Sequence, residues 1–81
     1  MQGFIEENQV VHGITHDGLY HIKINRPEKR NALNHAMFET ISKCMKYAES
    51  SEKVKVVLMY GAKGLFCSGF DLDDFLQLEP L

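Results

Sequence analysis

Ile24-Asn25-Arg26-Pro27-Glu28-Lys29-Arg30-Asn31-Ala32-Leu33-Asn34 is the stretch whose reading decides the fold. Just before it, Tyr20, Ile22 and Ile24 fall on one face and His21, Lys23 and Asn25 on the other, the alternation of a half-buried strand. Pro27 ends that strand, because it cannot donate to a ladder and pushes Arg26 toward extended geometry. A polar, basic loop runs over 26–31, and Asn34 can accept an orphan backbone N–H at a helix start.

Working outward, Val10 to Thr15 and Leu19 to Asn25 flank His16-Asp17-Gly18 and predict a β-hairpin, Asp-Gly being a favoured tight-turn pair. After Asn34, Met37, Phe38, Ile41, Cys44, Met45 and Ala48 recur at helical spacing and predict one apolar stripe. Glu39 and Lys43 form an i,i+4 pair on the outer face, and Ser50-Ser51-Glu52-Lys53 closes the helix. Val54 to Tyr60 is nearly continuously apolar and β-branched, which suits a parallel strand covered on both faces. Strand, helix and strand then make a right-handed crossover. Gly61-Ala62-Lys63-Gly64 turns the chain, and a short helix is expected near Asp71 with Leu72, Phe75 and Leu76 on its buried face. The first nine residues, 1–9, are expected to be flexible, with one α/β domain over 10–81.

Composition narrows the function. Eighty-one residues make one small domain at most, with a thin core. The 44% apolar and 25% charged content is ordinary for a globular chain. A net charge of −2 with no basic block argues against a nucleic-acid partner and against a polybasic membrane contact. No apolar run approaches the roughly 20 residues of a membrane-spanning helix, and the N-terminal residues lack the features of a signal or transit peptide. Glu79-Pro80-Leu81 is not a Ser-Lys-Leu address. Cys44 and Cys67 read as reduced packing thiols. His12, His16, His21 and His35 do not converge, so no metal site is expected. The turn 61–64 lacks the length and ending of a P-loop.

Two motifs carry a resemblance. Residues 24–34 resemble the first signature of the crotonase (enoyl-CoA hydratase/isomerase) family, in which a strand ends in Asn-Arg-Pro and runs to Asn-Ala-Leu-Asn. Phe66-Cys67-Ser68-Gly69-Phe70-Asp71-Leu72 resembles the second. The resemblance covers the chain from about Val11 onward and implies the N-terminal portion of the crotonase-like ββα spiral: hairpin, helix, parallel strand, short helix.

It also implies roles. The substrate is an acyl-CoA thioester, so coenzyme A arrives with it and no separate cofactor is expected. Lys29 or Arg30 would lie near the coenzyme A phosphates, where a flexible cation on a loop is well used. The Ala32 and Leu33 backbone would line the adenine and pantetheine path, and the Ser68 carbonyl would accept from the adenine amino group. Phe70 would give one of two backbone N–H donors to the thioester oxygen, with Gly69 allowing close approach. A fixed N–H there stabilises enolate charge without reorganising, and loss of one such donor typically costs about 2.7–4 kcal/mol. Asp71 and Leu72 complete the binding turn; read from the residues alone, Asp71 is an N-cap before it is a catalytic carboxylate, and Gly69 a turn residue.

The family's second oxyanion donor, its acid/base carboxylates and its trimer-building helices lie downstream of the corresponding region. The 81 residues are therefore expected to be catalytically silent and unable to form the family's trimers or hexamers by themselves. Within the family, Cys-Ser-Gly-x-Asp-Leu followed by Phe75 is most similar to the Δ3,Δ2-enoyl-CoA isomerases. A hydratase fragment, a non-catalytic CoA-binding or oligomer-joining module, and a small structural domain are the alternatives. A mitochondrial or peroxisomal location follows from the resemblance alone.

Overall fold

A computed structural model describes residues 3–64 and residue 66. Three strands, β1 (Ile5–Glu7), β2 (Val10–Ile14) and β3 (Leu19–Ile24), are followed by helix α1 (His35–Ser50) and strand β4 (Val56–Gly61). The sheet order is β1-β2-β3-β4. The first three strands pair antiparallel, and β4 joins β3 in parallel, with Leu19 opposite Val56 and Ile24 opposite Gly61. The predicted hairpin, helix and parallel strand are therefore all present.

The hairpin forms as the sequence predicts. Gly18 N donates to Thr15 O at 3.0 Å, and Thr15 N to Leu19 O at 2.9 Å, closing a three-residue loop. Gly18 has φ +88, and a Cβ there would meet Lys55 Cγ at 2.8 Å, so this position excludes side chains twice over. Its carbonyl accepts from Lys55 N at 2.9 Å, which seats the start of β4 beside the turn.

The core lies between one sheet face and α1. Val10, Tyr20, Ile22 and Ile24 from the sheet meet Met37 and Cys44 from the helix, with Leu33, Ile41, Ala48, Val54 and Val57 packed around them. Asn34 caps the helix: its Oδ1 accepts from Met37 N at 2.8 Å. Helix 35–50 then ends at Ser51, whose N–H donates to Tyr47 O.

Four expectations need correction. Residues Ile5–Glu7, within the segment read as flexible, form a strand. Asn8 and Gln9 connect it to β2 with φ of 52° and 63°, the paired left-handed geometry of a two-residue hairpin turn. The stripe on α1 is narrower than predicted. Phe38 and Met45 are exposed, while Thr40 is buried. At about 100° per residue, Met37, Ile41, Cys44 and Ala48 share a face from which Phe38 and Met45 are each turned one step away. The Thr40 hydroxyl enters that face because it accepts from Asn8 Nδ2 at 3.0 Å. The Glu39–Lys43 pair is also replaced. Glu39 meets His35 at 2.9 Å and Lys43 reaches Glu7 at 3.3 Å, since β1 brings a second carboxylate to the helix. Finally, Val56, Leu58 and Met59 of β4 are exposed among the described residues, so the strand is not covered on both faces there.

Candidate functional site

Parallel pairing of β3 with β4 sends two loops out at the same end of the sheet, the carboxyl end of both strands. One is 25–34, after Ile24; the other begins at Ala62, after Gly61. In open α/β sheets that end is where ligands bind.

The first loop is a closed structure. Pro27–Lys29 makes one 3-10 turn, and Lys29 N donates to Arg26 O at 3.1 Å. Arg30 and Asn31 then take left-handed backbone, φ 53° and 58°. Asn31 N donates to Arg26 O at 2.8 Å, while Arg26 N donates to Asn31 Oδ1 at 2.9 Å, so both backbone groups of Arg26 meet Asn31. The Arg26 guanidinium donates through Nη1 to Ala32 O at 3.1 Å and spans the loop from inside. From outside, Gln9 Nε2 donates to Glu28 Oε2 at 2.7 Å, and this bond holds the Glu28 carboxyl below the usual carboxylate range.

Asn31 also reaches the second loop. Its Nδ2 donates to Ala62 O at 2.9 Å, with the residue wholly buried. An unmade hydrogen bond costs a buried polar group about 1–3 kcal/mol, so removing this carboxamide strands two backbone groups at once. Lys63, next along, again has left-handed backbone at φ 60°.

The positions named from sequence divide into two sets. Lys29 and Arg30 are exposed on the first loop, and no ion pair among the described residues holds either of them or Lys63. Ala32 and Leu33 are half-buried behind them; the Ala32 N–H and carbonyl are both bonded within the loop, and Leu33 packs on the core. Ser68, Gly69, Phe70, Asp71 and Leu72, with Cys67 and the expected second helix, lie outside the described residues. Phe66, which opens the second motif, is exposed. Two residues carry geometry that the sequence reading gave no role: Asn31, inside the first motif, and Lys63, whose left-handed backbone has no signal in a lysine.

Away from these loops, a cavity of about 370 Å³ lies between β1, β2, β3 and α1, lined by Ile5, His12, Ile14, Tyr20, Cys44 and Tyr47. None of its lining comes from 25–34 or 61–64, so it is separate from the loops that carry the cations. Burial pushes both the Tyr20 hydroxyl and the Cys44 thiol upward from their ordinary pKa values, which keeps the pair protonated and unsuited to acid–base work near neutrality. Among the described residues there is no group of three or more His, Cys, Asp or Glu side chains that could hold a metal ion, and no helix long and apolar enough to cross a membrane.

Comparison with known proteins supplies the context. Residues 15–80 match the family described as enoyl-CoA hydratase/isomerase. A mitochondrial Δ(3,5)-Δ(2,4)-dienoyl-CoA isomerase of Rattus norvegicus is 37% identical over 62 residues, covering 74% of this chain and 19% of the relative. A peroxisomal Δ(3,5)-Δ(2,4)-dienoyl-CoA isomerase of Arabidopsis thaliana is 32% identical over 71 residues, covering 88% and 26%. Among solved structures, an enoyl-CoA hydratase from Mycobacterium tuberculosis H37Rv superposes with a TM-score of 0.81 at 32% identity, covering 90% of this chain and 29% of that one. The chain thus spans between about a fifth and just under a third of the length of these relatives. With a match over 15–80, and with hairpin, helix and parallel strand in the order its relatives share, the chain belongs to the enoyl-CoA hydratase/isomerase family.

Proposed function

We propose that these residues form the coenzyme-A-facing part of an enzyme acting on enoyl-CoA thioesters in fatty-acid β-oxidation, and that its reaction is Δ3,Δ2-enoyl-CoA isomerisation. The observation that carries the reading is the joining of two loops at the carboxyl ends of β3 and β4 by Asn31 and Ala62, with Lys29 and Arg30 exposed beside them. The naming of two relatives as dienoyl-CoA isomerases supports double-bond migration, and the hydratase among the similar structures keeps hydration as the alternative.

In this reading Lys29 and Arg30 face the phosphates of coenzyme A, and Ala32 and Leu33 lie along the adenine and pantetheine. Ser68 accepts from the adenine, Gly69 lets the backbone approach, and Asp71 and Leu72 hold the turn. The Phe70 N–H donates to the thioester oxygen. A base removes a proton from C2 of the 3-enoyl thioester, the electrons pass to the oxygen as an enolate, and a proton returned at C4 leaves the 2-enoyl product. Charge on that oxygen is what a fixed N–H stabilises. Acid–base groups, usually contributing about 10²–10⁴-fold in rate, are not assigned to any residue of this stretch, so turnover needs residues beyond these 81. No cofactor is needed besides the coenzyme A that the substrate brings. The relatives' names support a mitochondrial or peroxisomal setting.

The test follows 3-enoyl-CoA and 2-enoyl-CoA by proton NMR with the native protein that carries this sequence and with the 81-residue chain. The native protein is expected to move the double bond and the short chain to leave both substrates unchanged. Hydration of 2-enoyl-CoA without migration would replace the isomerase by a hydratase. Turnover by the 81 residues alone would overturn the assignment of acid–base chemistry elsewhere.

A further inference from the structure

Asn31 directly follows four exposed residues, 27–30, yet it is wholly buried and polar. Three bonds converge on it: Arg26 N to its Oδ1 at 2.9 Å, its own N–H to Arg26 O at 2.8 Å, and its Nδ2 to Ala62 O at 2.9 Å. The β3–β4 ladder runs as far as Ile24 and Gly61, so beyond that pair the carboxamide carries the connection between the two loops onward. Its left-handed backbone, φ 58° after Arg30 at 53°, is a conformation that asparagine tolerates better than most side chains. The residue therefore sets where the exposed Lys29 and Arg30 stand relative to the turn at 62–64.

We infer that Asn31 is a positioning residue for coenzyme A: its carboxamide fixes the cationic tip of one loop against the other, so the two sides of the binding surface are held in place before the ligand arrives. This rests on the reading of these loops as coenzyme-A-facing. Pre-organisation of this kind raises affinity by removing the ordering cost from the binding step. A purely structural asparagine would instead lower the melting temperature and leave the affinity of the folded protein alone.

Two substitutions separate these outcomes. Asn31→Gly accepts the left-handed backbone and deletes the carboxamide. Asn31→Asp keeps size and the acceptor for Arg26 N but sets a carboxylate oxygen against Ala62 O. Coenzyme A would be titrated calorimetrically into the native protein and each variant, well below their melting temperatures, with amide exchange of 26–31 and 61–64 followed in parallel. The expected result is about tenfold weaker binding in both variants, a loss of about 1.4 kcal/mol, with the fold retained and faster exchange of the Arg26 amide in Asn31→Gly. A folded Asn31→Gly variant binding within about twofold of wild type would overturn the positioning role. Should one variant not fold, the other carries the measurement, and failure of both to fold would make the role structural. A wild-type protein that binds no coenzyme A would overturn the functional reading itself, an outcome distinct from unchanged binding in the variants.

Discussion

Gln9 Nε2 donates to Glu28 Oε2 at 2.7 Å, tying the turn between β1 and β2 to the tip of the loop that follows β3. Its consequence is a pH dependence with a definite sign. The Gln9 amide lowers the Glu28 pKa below its ordinary 4.5. The bond's contribution is therefore fully present above the unfolded value and is lost as pH falls through the lower folded value. An NMR titration of Glu28 is expected to give a midpoint below 4.5 that rises toward the ordinary value in Gln9→Ala, because the largest of the groups that lower it is then gone. An unchanged midpoint in that variant would show that the bond is not made in solution.

Asn34 caps α1 through Met37 N, and the cap is a separate contribution from the packing below it. Asn34→Ala is expected to lower stability by about 1 kcal/mol, and Asn34→Asp to retain most of it. Urea unfolding measures both. Equal midpoints for wild type and Asn34→Ala would contradict the capping role.

Cys44 is buried among Tyr20 and the residues around it, and burial raises the pKa of both groups. The folded protein should therefore resist thiol alkylation at Cys44 at neutral pH, and urea should expose it, because the thiolate is the reactive form. The Tyr20 shift sets a second limit. Its folded pKa lies above the ordinary 10.0, so stability is fully present below that value and declines as pH rises above it toward the folded pKa. Mass spectrometry of alkylated Cys44 and alkaline unfolding followed by circular dichroism check the two statements; rapid labelling in the native state would contradict the first.

How far the sequence foretold this structure differs from element to element. The alternation at Tyr20, Ile22 and Ile24 placed one sheet face correctly, and the Asn34 cap set the helix start. Both signals are local, so neighbours did not alter them. The strand Ile5–Glu7 escaped because its order comes from pairing with β2, and its turn uses Gln9 at positive φ, where glutamine gives no warning. The helix stripe was drawn too wide because Phe38 and Met45 are apolar without facing the sheet. At the site, Lys29, Arg30, Ala32 and Leu33 were visible as parts of a motif. The bond from Asn31 to Ala62 was not, since it joins residues 31 apart that meet after β3 and β4 pair.

The central claim is that the loops after β3 and β4 face coenzyme A, and titration of coenzyme A into the native protein tests it most directly. Saturable binding is expected, weakened at least tenfold by Lys29→Ala/Arg30→Ala and relieved by added salt, as phosphate contacts from exposed cations require. Binding equal in wild type and the double variant, or none in either, would contradict it.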